Sequence, residues 1–255
     1  MNYKKIAAAL CLAGAFLCSA GEVYKLDRVE DWHNRSSLTQ QAPGVLRGKG
    51  RIVAFSKEIY PYDAKKTYTF KGLYRQLPGS DSNIFRVGIL PLDKDKKVIE
   101  FVTSHPKRNT DTVLAKAAAA GDTFIIVKDG SGWERNAQVA YNTKPDLSDL
   151  PNKNIIAQNP QIIEKTEDGW KITFIKPVGI DLPAGTAVRQ HHLGGRFRFA
   201  GNGTGGDVLS DLKCKRWDVG TKYFQVVVMS GTNGIKPGEQ VPVLEMKNPR
   251  IEVTE

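Results

Sequence analysis

The fold of this chain is decided above all by one stretch, IYPYDAKKTYTFKGLYR, which runs from Ile59 to Arg75. It begins with turn residues, because Pro61 fixes the backbone angle φ and Asp63 can hydrogen-bond to its own backbone. After the turn, aromatic and polar residues alternate, which is the period of a half-buried strand. We therefore predict a turn followed by a strand, with Tyr68 and Phe70 facing a core.

The rest of the chain repeats this pattern of short apolar runs punctuated by turn residues. Leu92–Lys97 and Glu167–Gly169 are expected to be hairpin turns, the second because of its Asp-Gly pair. The segment Val98–Val102 is predicted to be a strand. The single helix is expected at Thr112–Ala120, which reads TVLAKAAAA, because alanine has the highest helix propensity. The pattern as a whole predicts an all-β fold, either a sandwich or a jelly roll.

Uneven strand spacing indicates that one domain is inserted into another. Residues 21–109 and 193–255 are predicted to form one discontinuous β-sandwich, because neither flank has enough strands alone. Residues 110–192 are predicted to form a small inserted β subdomain. The alternative is two consecutive domains.

The N-terminus has the features of an export signal. Lys4 and Lys5 precede an apolar run, Ile6 to Phe16, and Cys18-Ser19-Ala20 resembles a cleavage site. We therefore predict a signal peptide at residues 1–20 and an exported protein that is periplasmic, cell-surface or secreted, with no transmembrane span after cleavage. A lipoprotein anchor is the alternative, because two cysteines lie in this segment.

Charge and cysteine content limit the partners and the chemistry. The chain has 37 Lys and Arg against 27 Asp and Glu, and loss of Lys4 and Lys5 lowers the net charge from +10 to +8. No nucleic-acid-binding motif is present, so an anionic polysaccharide or an envelope surface is the expected partner of an exported basic protein. A solvated basic surface without a dedicated partner is equally compatible.

Cleavage leaves Cys214 alone, and we predict that it is a small buried residue.

Several segments resemble the galactose-binding-like jelly roll of carbohydrate-binding modules from bacterial glycoside hydrolases. They include the entry strand, the turn and long strand, a strand–hairpin–strand, a late strand and the closing strand: Val53–Ile59, Tyr60–Arg75, Phe85–Ile99, Trp217–Val228 and Asn248–Val253. The resemblance implies a jelly-roll β-sandwich that binds a polysaccharide or a cell-surface glycan.

The middle of the chain has a resemblance of its own. Ala120–Trp133 and Leu182–Arg189 are similar to a small β module found in bacterial surface proteins and phage tail proteins.

The galactose-binding-like family, which the flanking segments resemble, often holds a structural calcium ion. Glu30, Asp31 and Glu252 could supply such ligands, but calcium needs six or more oxygen ligands and the sequence contains no clear set, so no cofactor is predicted. No other cofactor is implied.

Catalytic constellations are weaker than the binding signal. His191 and His192 are adjacent on a predicted strand and should point to opposite faces, which disfavours a shared metal. A glycoside hydrolase would need paired carboxylates, for which Asp207, Asp211 and Asp218 are candidates. A polysaccharide lyase site would draw on a cluster of polar residues, namely Gln190, His191, His192, Arg196 and Arg198.

Sugar binding commonly uses aromatic ring faces together with planar hydrogen-bonding side chains. Five residues fit this description and are the predicted ligand-binding set: Trp217, Trp133, Tyr74, Arg75 and Arg86. Trp32 and Trp170 are predicted to be core residues. The sequence thus favours an exported, non-catalytic glycan-binding protein. The alternatives are a structural or adhesive envelope protein without a small ligand, and a polysaccharide lyase or glycoside hydrolase.

Overall fold

The computed structural model describes residues 21–33, 38–77, 84–231 and 241–255, and the predicted signal peptide lies outside them. The fold is all-β, as predicted. The first seven strands are β1 (Glu22–Lys25), β2 (Leu38–Ala42), β3 (Val45–Lys49), β4 (Ile52–Phe55), β5 (Tyr60–Pro61), β6 (Thr67–Gln76) and β7 (Phe85–Leu92). A 3-10 helix, Val29–Asp31, lies between the first two.

A one-turn helix, α1 (Phe101–Ser104), precedes the next group of strands. This group comprises β8 (Thr112–Val113), β9 (Phe124–Val127), β10 (Ala137–Tyr141), β11 (Ile155–Ile156), β12 (Ile162–Thr166), β13 (Gly169–Thr173) and β14 (Ala187–His192). The last five strands are β15 (Arg198–Gly203), β16 (Val208–Leu209), β17 (Leu212–Lys213), β18 (Tyr223–Ser230) and β19 (Val243–Thr254). No helix among the described residues is long and apolar enough to cross a membrane.

Two large antiparallel sheets form what we call the first sandwich. One has seven strands in the order β16-β6-β19-β3-β2, with β1 added on β19 and β17 on β6. The other has five strands in the order β15-β7-β18-β4, with β5 paired to β18. Their inner faces enclose a core that includes Trp32, Phe70, Phe85, Phe224 and Met246. Burial of Trp32, Tyr68 and Phe70 confirms the core positions predicted for them.

Strands β8–β14 form a second, smaller sandwich. A four-stranded sheet, β11-β10-β14-β8, faces a three-stranded sheet, β12-β13-β9. The core between them includes Leu114, Ile125, Val139, Ile172 and Val188. Within the described residues, none of these seven strands belongs to a sheet of the first sandwich. The exact boundaries of an inserted subdomain stay a prediction.

The stretch that decided the fold class forms a turn and a strand, as predicted. The Asp63 amide donates a hydrogen bond to the Tyr68 hydroxyl (2.8 Å), which in turn donates to the Pro61 carbonyl (3.2 Å). Strand β6 then pairs with β19 along its length, except where β19 bulges between Lys247 and Arg250. The core tyrosine therefore also closes the turn that precedes its own strand.

Two local predictions were wrong. Thr112–Ala120 is not a helix, because Leu114 and Ala118 form backbone bridges to Val127 and Leu182. These bridges bury both side chains in the second core, and this tertiary pairing outweighs the helix propensity of alanine.

The second wrong prediction is the strand Val98–Val102. Only Val98 makes a bridge, to Leu92. Phe101 instead begins α1, and its ring stacks on His105 at 3.7 Å between centroids. The helix carries the chain from the first sandwich towards the second.

Candidate functional site: a tryptophan groove

A groove in the second sandwich is the strongest candidate for a binding site. It lies between the loop that joins β9 to β10 and the hairpin of β12 and β13, and its cavity measures about 590 Å³. The residues that line it define the tryptophan groove: Gly130, Ser131, Trp133, Glu134, Arg135, Asn136, Ile163 and Trp170. Two aromatic rings and several planar polar groups thus share one open space.

Trp170 forms one wall, and a glycine sets its position. A β-carbon at Gly130 would lie 2.7 Å from the β-carbon of Trp170 and 3.0 Å from its Cγ. Only glycine allows the backbone to approach the side chain so closely. Trp170 was predicted to be a core residue, but it is half-buried, so part of its ring remains accessible to a ligand.

Trp133 forms the floor. Its side chain is 7% exposed, and its indole nitrogen donates a hydrogen bond to the Thr110 carbonyl (3.0 Å). The loop before it is held by Asp129, whose carboxylate accepts the Ser131 amide (2.9 Å). This hydrogen bond lowers the pKa of Asp129. Trp133 therefore contributes ring surface, and its polar atom is not available to a ligand.

Gln190, a buried residue of β14, holds the polar rim in place. Its side-chain oxygen accepts the Glu134 amide (2.7 Å), and its side-chain nitrogen donates to the Glu134 carbonyl (2.6 Å). The backbone amide of Gln190 also donates to the Thr110 hydroxyl (3.0 Å). The loop that carries Glu134, Arg135 and Asn136 is thereby tied to the sheet beneath it, which reduces the entropy lost when a ligand binds.

The other predicted ligand-binding residues lie elsewhere. Tyr74 is a correction: its side chain is completely buried in the first core, and its hydroxyl donates to the Lys71 carbonyl. Trp217 stacks on Tyr62 at 4.1 Å between centroids, and its indole nitrogen donates to the Cys214 carbonyl (3.1 Å). A fully buried ring cannot touch a ligand, and Trp217 mainly completes the packing around the first core.

Arg75 and Arg86 lie on opposite outer faces of the first sandwich. Arg75 pairs with the buried carboxylate of Glu245 (2.7 Å), which also binds Arg47. Arg86 lies over the ring of Phe199, 5.0 Å from its centroid. Of the five predicted residues, only Trp133 therefore lies in the tryptophan groove.

The face that carries Arg86 is an aromatic outer surface of the five-stranded sheet. Phe55 lies 5.7 Å from Phe197, and Phe197 lies 6.2 Å from Phe199, between ring centroids. All three rings are half-buried. The opposite outer face of the sandwich, with its Arg–Glu–Arg pairs, is charged. The aromatic face is thus a second surface with the composition of an interaction site.

Three of the residues proposed for a lyase site, Gln190, His191 and Arg198, are held by structural hydrogen bonds or ion pairs. Gln190 is the clamp described above, and Arg198 forms a buried two-point ion pair with Asp218 at 3.0 and 2.6 Å. His191 is buried, whereas His192 is exposed, as the strand geometry predicted. These side chains serve separate packing and hydrogen-bonding roles.

The other candidate carboxylates are likewise engaged. Asp211 pairs with Lys71, and Asp207 accepts the Thr204 amide (2.8 Å). Among the calcium candidates, Asp31 pairs with Arg28 (2.9 Å). No group of three or more metal-ligating side chains occurs within the described ranges. Asp31, Asp207 and Asp211 therefore each have a local structural partner.

Cys214 is buried, as predicted. Its thiol donates to the Arg216 carbonyl (3.3 Å), and burial raises the thiol pKa to about 11. At neutral pH the group is therefore a protonated thiol and a poor nucleophile.

Comparison with known proteins does not show a family. No family model matches the chain, and no solved structure matches it. The chain is 26% identical over 106 residues to the arginine–tRNA ligases of Bordetella pertussis and Bordetella parapertussis. The match covers 40% of this chain and 19% of those proteins, so it spans about a fifth of their length.

Proposed function

We propose that this chain is an exported, non-catalytic carbohydrate-binding protein. The observation that carries the proposal is the tryptophan groove, in which Trp133 and Trp170 lie beside Arg135 and Asn136. Sugar rings present C–H faces that pack against aromatic side chains, and their hydroxyls pair with planar polar groups. The groove supplies both kinds of contact in one cavity.

The size and rigidity of the groove support the same proposal. Its volume of about 590 Å³ lies in the range of small-ligand sites, which span about 300–1,000 Å³. Trp170 is fixed against Gly130, and the polar rim is fixed by Gln190, so a ligand meets a largely preformed surface. Preformed sites keep more of their contact energy as affinity.

The finer fold assignment belongs to the proposal as well. The first sandwich is proposed to be a galactose-binding-like jelly roll, on the strength of the resembling segments and its two antiparallel sheets. Export is proposed from the N-terminal sequence. Mass spectrometry of the protein recovered from a bacterial host tests export, because signal cleavage would place Gly21 at the N-terminus.

A glycan array followed by calorimetry on the strongest hit tests the binding function. Trp170→Ala is expected to weaken binding about ten-fold or more, because central aromatic residues dominate such sites. Ile175→Ala is the matched control, since Ile175 is a 72% exposed apolar residue of the same sandwich outside the groove. Asn136→Ala, an exposed polar change, should weaken binding without affecting packing.

Absence of binding to every glycan, with a folded protein, would remove the proposal. Equal affinities for wild type, Trp170→Ala and Asn136→Ala would move the site away from the groove. Release of reducing ends from a polysaccharide would contradict the non-catalytic part.

An adhesive role without a small ligand is the second candidate, and the aromatic face favours it. Its three phenylalanines offer an apolar surface of the kind that docks against another macromolecule. Phe55→Ser and Phe199→Ser should then abolish adhesion to bacterial envelopes and leave glycan binding in solution unchanged. Unchanged adhesion of both variants to bacterial envelopes would reject this role.

A further inference from the structure

The charges around the tryptophan groove are unevenly satisfied. Glu134, the only carboxylate that lines it, forms an ion pair with the Lys107 ammonium group. The Lys107 side chain is only 14% exposed, so this pair is partly shielded from water. The charge of Glu134 is therefore largely balanced by Lys107, so Glu134 does not repel an incoming anion strongly.

Arg135, the next residue, has no such partner. It is exposed, and its side chain makes no hydrogen bond or ion pair with any described residue. An arginine fork presents parallel N–H donors that match a carboxylate at two points. The groove thus offers one unpaired guanidinium beside two aromatic rings.

A second cation lies next to the wall of the groove. Lys165 pairs directly across from Trp170 in the β12–β13 register, so their side chains share one face about 5 Å apart. Lys165 forms no ion pair within the described residues, although its charge helps to lower the pKa of Asp129. The groups described around the groove are thus three cations, Lys107, Arg135 and Lys165, and two carboxylates, Asp129 and Glu134. The cations exceed the carboxylates by one.

We propose that the tryptophan groove selects acidic sugars, with a uronic acid carboxylate on Arg135 and its pyranose ring against Trp170. The inference rests on the proposed glycan-binding function and names its ligand class. The exposed, unpaired guanidinium supplies the selectivity, and the ring contact supplies affinity that neutral and acidic sugars share. The net positive charge of the chain, +10 in full and +8 without Lys4 and Lys5, would add long-range attraction for such polymers.

Paired ligands test the inference. The probes are oligosaccharides of galacturonic, glucuronic, mannuronic and guluronic acid, each compared with its carboxyl-reduced neutral counterpart by calorimetry. We expect at least one acidic member to bind about ten-fold tighter than its reduced form, because hydrogen bonds to charged groups are the stronger kind. Raising the salt concentration should shrink that difference.

Arg135→Gln should remove the preference for the acidic form, because it weakens binding of the acidic sugar more than binding of the reduced form. Arg51→Gln is the matched control, because Arg51 is also exposed and lies in the first sandwich. It removes the same charge, so any loss of preference there would indicate a general charge effect and contradict a specific role of Arg135.

The outcomes separate this inference from the function on which it rests. Groove-dependent binding of neutral glycans, with equal or weaker binding of acidic ones, overturns the inference and leaves the function standing. Lack of binding to acidic, reduced and neutral glycans alike overturns both. Retention of the acidic preference in Arg135→Gln also overturns the inference.

Discussion

Acid is expected to destabilise the second sandwich through His191, because this buried imidazole is held in its neutral form. Its Nε2 accepts a hydrogen bond from the Arg189 Nε (2.9 Å), and its Nδ1 bonds to the Val102 carbonyl. Arginine can only donate, so Nε2 must be the unprotonated nitrogen. Arg189 is itself fully buried and bound to Asp149 (2.6 Å).

The magnitude follows from the pKa of His191, which burial lowers from 6.5 to about 4. Since the folded pKa is depressed, the unfolded chain takes up the proton first. Stability from this group is complete above about pH 6.5, declines as the pH falls from 6.5 towards 4, and is fully lost below about pH 4. The loss is about 2 kcal/mol at pH 5 and about 3 kcal/mol when fully developed, at about 1.36 kcal/mol per pKa unit.

Other titrating groups around His191 act in the same pH range or below it. Burial lowers the pKa of His105, and hydrogen bonding from Arg189 helps to hold the pKa of Asp149 down. Wild-type protein alone therefore does not isolate the contribution of His191. A variant that keeps both hydrogen bonds but cannot titrate is required.

His191→Gln is that variant, because its amide can donate to Val102 and accept from Arg189. Urea denaturation followed by tryptophan fluorescence at pH 7, 6 and 5 should show a smaller stability loss in the variant, by about 2 kcal/mol between pH 7 and 5. His192→Gln is the control, since this neighbouring histidine is exposed. If His191→Gln loses as much stability as wild type over this range, the reasoning about the buried neutral imidazole is refuted.

Two further predictions concern the first sandwich. Gly72→Ala should lower the free energy of unfolding by about 2 kcal/mol or more, because Gly72 has φ +106° and an added β-carbon would lie 2.7 Å from the carbonyl oxygens of Lys247 and Asn248. Denaturation of Gly50→Ala, in which the added β-carbon has more space, is the comparison. Equal losses of stability in the two variants would contradict the argument from these contacts. Cys214 should resist iodoacetamide at pH 8 in the folded protein and react fully in urea, because burial raises its pKa to about 11 and keeps the thiol protonated. Mass spectrometry measures the extent of alkylation. Rapid alkylation of the folded protein would disprove the argument from burial.

The strand pattern of the sequence was sufficient for the core but not for the groove. Alternation placed Tyr68 and Phe70 correctly, and the same parity reaches Tyr74, which should have been assigned to the core on that ground. The burial of Tyr74 follows from the same rule that predicted the strand.

The groove was missed because it is built from segments that are distant in sequence. Trp133 belongs to the loop before β10, whereas Trp170 lies near the start of the far strand of a hairpin. The pairing of β13 with β9 and the contact with Gly130 bring the two walls together. A glycine in a loop gives no sign of which side chain will lie against it. Trp170 was assigned to the core for this reason, since its hydrophobicity was evident and its partial exposure was not.

Strand β14 links the groove to the hydrogen bonds of Arg189 and His191, because its two faces carry different side chains. Gln190 lies opposite Val139, on the face that holds the groove loop, whereas Arg189 and His191 lie on the other face. A strand buried on both faces would ordinarily carry apolar residues throughout. Here its polar side chains are retained with nearly all their hydrogen bonds made, as buried polar groups require. A strand fixed from behind by Arg189 and His191 can hold Gln190 still, and a fixed Gln190 is what positions the polar rim of the groove.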